Sequence, residues 1–316
     1  MKIARSEADV VRDPNSVVTV GTFDGIHLGH RQIIMETVRR ARARTGRSVI
    51  VTFEPHPKEV VASTRGPVRL LTTMDERLAL LGGFDIDLVY IIEFTRAFSQ
   101  LAPRAFYETH VSGTVGLAEV VVGYDHMFGR GRAAGNEELA DMGTELRFVV
   151  RTVPALTVDG DRVSSTVIRH ALAAGDVERA ARLLGYAYRL DGRVVEGNRR
   201  GLTLGYPTAN IRPESEKKLV PARGVYLVSV RMKDQDLFGM MNIGMRPTVT
   251  DGSDQTIEVY VLNFQGDLYG DRLSIRFLRK LRDEQKFASA AELKEQLDRD
   301  RERSLAVIRE LTNTTV

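Results

Sequence analysis

Residues 21–30, GTFDGIHLGH, restrict this chain more than any other stretch. They follow the apolar run 17–20 and precede RQIIMETVRRARA, in which Ile33, Ile34, Val38 and Ala41 share one helical face. A strand, a tight glycine turn and a helix are therefore expected in that order. His27 and His30 stand at the turn with only Leu28 and Gly29 between them. Backbone amides at a helix start point outward and attract anions, so imidazoles added there suggest chemistry on phosphate. An ordinary βα turn with surface histidines fits the same letters, and a short motif alone does not decide between them.

The first half continues the alternation. Apolar strands are expected at 48–53, 87–94, 118–122 and 146–150, with helices at 73–81, 102–111 and 137–142. Such alternation makes a doubly wound parallel sheet the economical fold. Ligands in such sheets bind outside the carboxyl ends of the strands, where His27, His30, His56 and residues 124–128 fall. Two short helices are expected within 164–185, the first capped by Ser164 or Ser165 and ended by Gly175, the second capped by Asp176 and ended by Gly185. From Tyr188 the pattern turns β-like, with runs at 188–195, 224–231, 237–243, 256–262 and 273–278 and one closing helix at 289–311. That succession argues for a small antiparallel barrel. The 316 residues suit two domains, and the boundary is expected near Tyr186.

Composition narrows the function. No cysteine is present, which excludes disulfides and thiolate metal sites and fits a reducing compartment. With 45 basic and 42 acidic residues the formal charge is +3, too balanced for a general nucleic-acid binder. The arginines at 39, 40, 42, 44 and 47 lie at the far end of the first helix, where cations suit the dipole, and read as a solvated face. No apolar run approaches the roughly 20 residues of a membrane span, and MKIARSEADVVRD lacks the apolar core of a secretory signal. A soluble cytoplasmic protein without nucleic-acid or membrane partners is expected, and homo-oligomerisation is left open.

Several strings recur in an informative order: GTFDGIHLGH, FEPHP at 53–57, SSTVIR at 164–169, GLTLGYPTANI at 201–211, GVY at 224–226, NIGMRPTV at 242–249 and IEVYVLNFQGDLYG at 257–270. Together they resemble the bifunctional prokaryotic riboflavin kinase and FMN adenylyltransferase family, also called FAD synthetases. The resemblance implies a Rossmann-like nucleotidyltransferase domain over 1–186 and a riboflavin kinase barrel over 187–316. It also implies ATP-dependent phosphorylation of riboflavin to FMN by the barrel and adenylylation of FMN to FAD, with release of pyrophosphate, by the first domain, both with Mg²⁺.

Residue by residue, the resemblance gives His27 and His30 the charge on the α-phosphate of ATP. Gly21, Phe23, Asp24, Gly25 and Gly29 then shape the phosphate loop. Ser164, Ser165, Thr166 and Arg169, at a helix start, would hold the departing phosphates. His56, between two prolines, suits a turn or a contact to nucleotide or flavin equally. The loop GYDHMFGRG resembles one that shapes the flavin pocket; Asp125, Phe128 and Gly129 match, whereas Tyr124, His126 and Met127 depart.

In the second half no GxxxxGK[ST] loop appears. Gly197, Gly201 and Gly205 instead recur ahead of PTAN and let a backbone approach ATP phosphates closely. Thr208 and Asn210, two apart on one side of a strand, offer hard oxygens suited to Mg²⁺. Glu258 shares a strand face with Tyr260 and Leu262, and the family string makes it the base for the ribityl 5′-hydroxyl. Glu196, Asn198, Arg199 and Leu202 depart from the usual pattern. Those departures keep two alternatives open: a paralogue with one activity lost or an altered flavin preference, and a flavin-binding regulator. Phe287, Leu293, Leu297, Leu305, Ile308 and Leu311 form a packing stripe along the last helix.

Overall fold

The structure, a computed structural model, describes residues 1–61, 68–197, 205–233, 235–245 and 255–313. Its contacts group into two compact units, Met1–Val167 and Ile168–Val316.

In the first unit the strands are β1 (Lys2–Ala4), β2 (Ser16–Val20), β3 (Arg47–Glu54), β4 (Leu88–Glu93), β5 (Glu119–Gly123) and β6 (Val149–Val153). Among the described residues they form a six-stranded parallel sheet in the order β1-β4-β3-β2-β5-β6. Every residue of β2 is buried, as expected of a parallel strand covered on both faces. The helices that cover it are α1 (Leu28–Ala43), the short α2 (Pro57–Val61), α3 (Met74–Leu81), α4 (Pro103–Phe106) and α5 (Asn136–Leu146). Ile34 of α1 and Leu81 of α3 pack with Ile50, Val89 and Ile91 on one face. Phe106, Val111, Leu139 and Met142 pack with Val18, Val49, Tyr90 and Val120 on the other. The strand order reverses at β2, which has β3 on one side and β5 on the other, so the turn after β2 opens at a topological switch point.

Three expectations needed correction. The helix expected at 102–111 is α-helical only to Phe106 and continues as a π-helix over Tyr107–Val115. Its buried residues, Tyr107, Val111 and Val115, recur every four positions and so keep one face of the helix against the sheet. The strand expected at 146–150 lies at Val149–Val153, because Leu146 still ends α5. β1 was not expected: of its three residues only Ala4 is buried, too little for a periodic signal. A hairpin of β7 (Thr157–Val158) and β8 (Asp161–Arg162) leads to α6 (Ser165–Ala174), whose first turn Ser164 caps by accepting from the Val167 amide at 3.3 Å.

The second unit contains the rest of α6, α7 (Val177–Leu184) and the strands β9 (Arg189–Val195), β10 (Ala209–Pro213), β11 (Gly224–Met232), β12 (Gln235–Met245), β13 (Gln255–Val261) and β14 (Arg272–Arg282). These strands close into an antiparallel barrel in the order β10-β13-β12-β11-β14-β9. Asp176 caps α7 by accepting from the Arg179 amide at 2.9 Å, and Glu178 pairs with Arg279 of β14 at 3.3 Å. By packing, residues 168–186 therefore group with the barrel, whereas the expected division near Tyr186 rests on the change from helical to β-like runs in the sequence.

The closing helix α8 (Ala290–Asn313) lays Leu297, Val307 and Ile308 on Val225, Leu227, Met240 and Leu281 of the barrel. The apolar stripe is only part of that seam, since Asp300 and Ser304 are buried and Leu311 is exposed. Asp300 accepts from Arg282 at 2.9 Å and from Gln296 at 2.8 Å, which lets a carboxylate lie in the seam. Asp300→Ala would leave the partly buried Arg282 guanidinium with the Asp283 carbonyl but without its carboxylate, and is expected to cost about 2 kcal/mol of stability in urea unfolding. A loss too small to measure would mean that the pair contributes little.

Candidate active site

The turn after β2 is strained and firmly supported. Phe23, Gly25 and Ile26 have φ of 47°, 93° and 37°, all left-handed. Glycine takes that conformation freely, but a β-branched isoleucine rarely does. Each non-glycine outlier costs of the order of 1–3 kcal/mol and persists only where surrounding packing fixes it. Here the packing is burial of both side chains, at 3% and 0% exposure, in the core beside α1. Asp24 adds a second restraint. Its carboxylate accepts from the Leu71 and Thr72 amides at 3.1 and 2.8 Å and from the Thr72 hydroxyl at 3.1 Å. The structure thus gives Asp24 a bracing task, tying the turn to a segment that the sequence did not single out.

The turn delivers the two histidines to the start of α1. His27 is the N-cap, its Nδ1 accepting from the His30 amide at 3.2 Å. A nitrogen that accepts carries no proton, so neutral His27 bears its N–H at Nε2. The two imidazoles stack with centroids 3.6 Å apart and planes 16° apart, and Phe23 meets His30 edge-on at 5.2 Å. A Cβ at Gly29 would meet the His27 ring at 3.4 Å, an ordinary van der Waals contact, so space beside the stack does not by itself require glycine there. The Ser165 hydroxyl donates to the Asp24 carbonyl at 2.9 Å, which brings the start of α6 to the same turn. His27, His30, Asp24 and Ser165 are therefore gathered, with Ser164 as the cap beside them. Thr166 is exposed, and Arg169, one turn further along, groups with the second unit.

The other candidates of this unit are placed less pointedly. His56 is buried, its Nδ1 accepting from the Lys58 amide and its own amide donating to Glu59, each at 3.1 Å, so it does serve a turn. Asp125 is exposed and faces Arg162 at 3.8 Å, while Arg162 lies over the Tyr124 ring at 4.1 Å. Phe128 is buried edge-on against Tyr107 at 5.1 Å and stacks on His126 at 5.2 Å.

In the barrel, register assembles the second cluster. Asn210 of β10 lies directly across from Glu258 of β13, and Asn242 of β12 lies across from Glu258 on its other side. Cross-strand partners share a face with Cβ atoms about 5 Å apart, so carboxylate and carboxamides form one polar row. The Thr208 hydroxyl donates to Glu258 Oε2 at 3.3 Å. Glu258 and Tyr260 alternate with the buried Ile257 and Val259, which is the face the sequence implied. Gly197 is needed for close approach, because a Cβ there would fall 1.7 Å from Asn210 Nδ2. Gly205 has φ 79°, and Gly201, Asn198, Arg199 and Leu202 lie outside the described residues. Next to Gly205, Tyr206 is buried edge-on against Tyr260 at 5.0 Å and donates to Asp298 of α8. Burial and the Asp298 carboxylate push the Tyr206 hydroxyl above its ordinary pKa, so it remains a donor. Sequence reasoning missed Asn242 and the Tyr206–Asp298 bond; only strand register and a contact across 92 residues reveal them. Gly197→Ala is expected to displace Asn210 and slow a reaction that uses this polar row about 10²-fold, the usual penalty for an ångström of misplacement. Chemistry at the histidine-bearing turn should be unaffected, which separate rate assays of the two clusters would check.

Fold and sites together define a class: an α/β unit with a histidine-bearing helix start at its switch point, joined to a closed barrel that presents hard oxygen donors. Comparison with known proteins agrees in both halves. The family model described as FAD synthetase matches residues 10–167, and the one described as riboflavin kinase matches 184–308. Proteins named bifunctional riboflavin kinase/FMN adenylyltransferase are similar throughout. The one from Listeria monocytogenes is 35% identical over 95% of this chain and 94% of its own length. The one from Pseudomonas fluorescens is 39% identical over 90% of each, and the one from Escherichia coli K12 is 36% identical over 95% and 96%. A crystal structure described as a macrolide-efflux protein from Streptococcus pneumoniae has a TM-score of 0.87 at 31% identity, covering 96% of this chain and 98% of that one. This chain belongs to the family of bifunctional riboflavin kinases/FMN adenylyltransferases. No helix among the described residues is long and apolar enough to cross a membrane.

Proposed function

We propose that this chain phosphorylates riboflavin to FMN in its barrel and adenylylates FMN to FAD in its α/β unit, with the functional division between residues 186 and 187. The tandem of both family models in one chain carries this reading. In the barrel, the riboflavin 5′-hydroxyl oxygen bonds to the γ-phosphorus of ATP, the bond to the β,γ-bridging oxygen breaks, and ADP leaves. Glu258 takes the hydroxyl proton, and the Thr208 hydroxyl and the Asn210 opposite hold its carboxylate in a polar row.

In the α/β unit a phosphate oxygen of FMN bonds to the α-phosphorus of ATP, and pyrophosphate departs. His27 and His30 donate hydrogen bonds to the charge developing at that phosphorus, fixed beforehand by cap, stack and turn. Gly21, Phe23, Gly25 and Gly29 set the backbone there, while Ser164, Ser165, Thr166 and Arg169 receive the leaving phosphates. His56, Asp125 and Phe128 belong on the flavin side, and Gly197, Gly201 and Gly205 on the ATP side of the kinase step.

Magnesium belongs to the proposal. Thr208 and Asn210 offer a hydroxyl and an amide carbonyl on one side of the strand, a donor pair that fits a hard, oxygen-preferring cation and leaves the neighbouring Glu258 carboxylate to take the proton. When bound there, the cation neutralises phosphate charge. The partners are small molecules, riboflavin, FMN and ATP, without nucleic acid or a membrane, and the compartment is the cytoplasm. Purified protein given riboflavin, ATP and Mg²⁺ should accumulate FMN, then FAD and pyrophosphate. A stop at FMN would favour the one-activity paralogue, and flavin binding without turnover would favour the regulator.

A further inference from the structure

One buried cation of the α/β unit has no task in either reaction. Arg77, in the first half of α3, is 2% exposed, and its Nε and Nη1 have no hydrogen-bond partner. Three carboxylates are near enough for their charge to act on it, Asp24, Glu54 and Glu59. Each is engaged elsewhere. Asp24 is bonded to Leu71 and Thr72, Glu54 pairs with Arg5 at 2.8 Å, and Glu59 accepts from the His56 amide at 3.1 Å. Burial pulls the guanidinium below its ordinary pKa, as expected for a cation cut off from water.

An uncompensated buried charge is among the most costly groups a fold can carry, and it persists where something of opposite sign joins it. These neighbours locate the guanidinium. Asp24 belongs to the turn before α1, while Glu54 and Glu59 flank His56 at the end of β3. Arg77 therefore lies at the carboxyl edge of the sheet, where ligands of such sheets bind. Its planar fork of donors matches phosphate oxygens better than any other side chain.

We propose that Arg77 is a phosphate-binding residue of the α/β unit, its orphaned guanidinium receiving a phosphate group of FMN or of the ATP polyphosphate chain. This rests on reading that unit as an adenylyltransferase. Arg77→Met and Arg77→Lys in the full chain, titrated calorimetrically with pyrophosphate, a non-hydrolysable ATP analogue and FMN separately, test it. Arg77→Met should weaken at least one ligand about 10- to 100-fold, the worth of a charge-assisted hydrogen-bond pair. Arg77→Lys, keeping charge but not the fork, should fall between. Loss confined to FMN assigns the flavin phosphate, and loss with pyrophosphate and the ATP analogue assigns the polyphosphate.

Unliganded Arg77→Met should melt no lower than wild type, because it sheds an unpaired charge, and riboflavin phosphorylation should be unchanged. Wild-type affinity for all three ligands in Arg77→Met, or in Arg77→Lys if the first variant does not fold, would overturn the proposal. Wild-type protein that makes FAD alongside such a result would sink only this role for Arg77. Wild-type protein that makes no FAD would sink the reading of the unit itself.

Discussion

Replacing His30 with alanine is expected to lower FAD formation from FMN by about 10²- to 10³-fold, the range for removing one preorganised donor from developing charge. Riboflavin phosphorylation should continue at the wild-type rate. The substitution isolates the imidazole. Alanine is a good helix former, so α1 keeps its first turn, and the residue-30 amide still donates to His27 Nδ1, preserving the cap. What disappears is the ring stacked on His27 and edged by Phe23. The loss should therefore appear in kcat with little change in the affinity for FMN. Equal loss of both activities in a folded variant would contradict two independent sites.

Glu258→Gln is expected to do the reverse, reducing riboflavin phosphorylation by about 10²- to 10⁴-fold, the range for losing a general base. Glutamine keeps the shape of the side chain, and its carbonyl can still accept from the Thr208 hydroxyl, so the row formed with Asn210 and Asn242 survives. Only the proton acceptor is lost. Conversion of supplied FMN to FAD should not change. An unaltered kinase rate would reduce Glu258 to a polar strand residue.

Where the sequence was informative, and where it was not, follows from the range of the forces involved. The strand, turn and helix around GTFDGIHLGH could be read because each is set by neighbours, and the same holds for Asp176 capping α7. The strain at Phe23 and Ile26 was not legible, since a left-handed isoleucine is tolerated only through packing with residues as distant as Leu81 and Ile91. Asp24 was readable as a residue that shapes the turn, but not the partners by which it does so, since the Leu71 and Thr72 amides lie in a segment that the sequence did not single out. In the barrel, alternation identified the face of Glu258, but Asn242 required the β12–β13 register. Arg77 reads as an ordinary helix arginine until burial is known.

ATP labelled at either the α- or the γ-phosphorus, supplied with riboflavin and Mg²⁺, interrogates both sites at once. The account predicts that γ-label enters FMN and remains in FAD, that α-label enters FAD alone, and that His30→Ala abolishes only the α-label while Glu258→Gln abolishes both when riboflavin is the sole flavin. Flavin product that never acquires α-label, or γ-label that reaches flavin at the wild-type rate in Glu258→Gln, would contradict it.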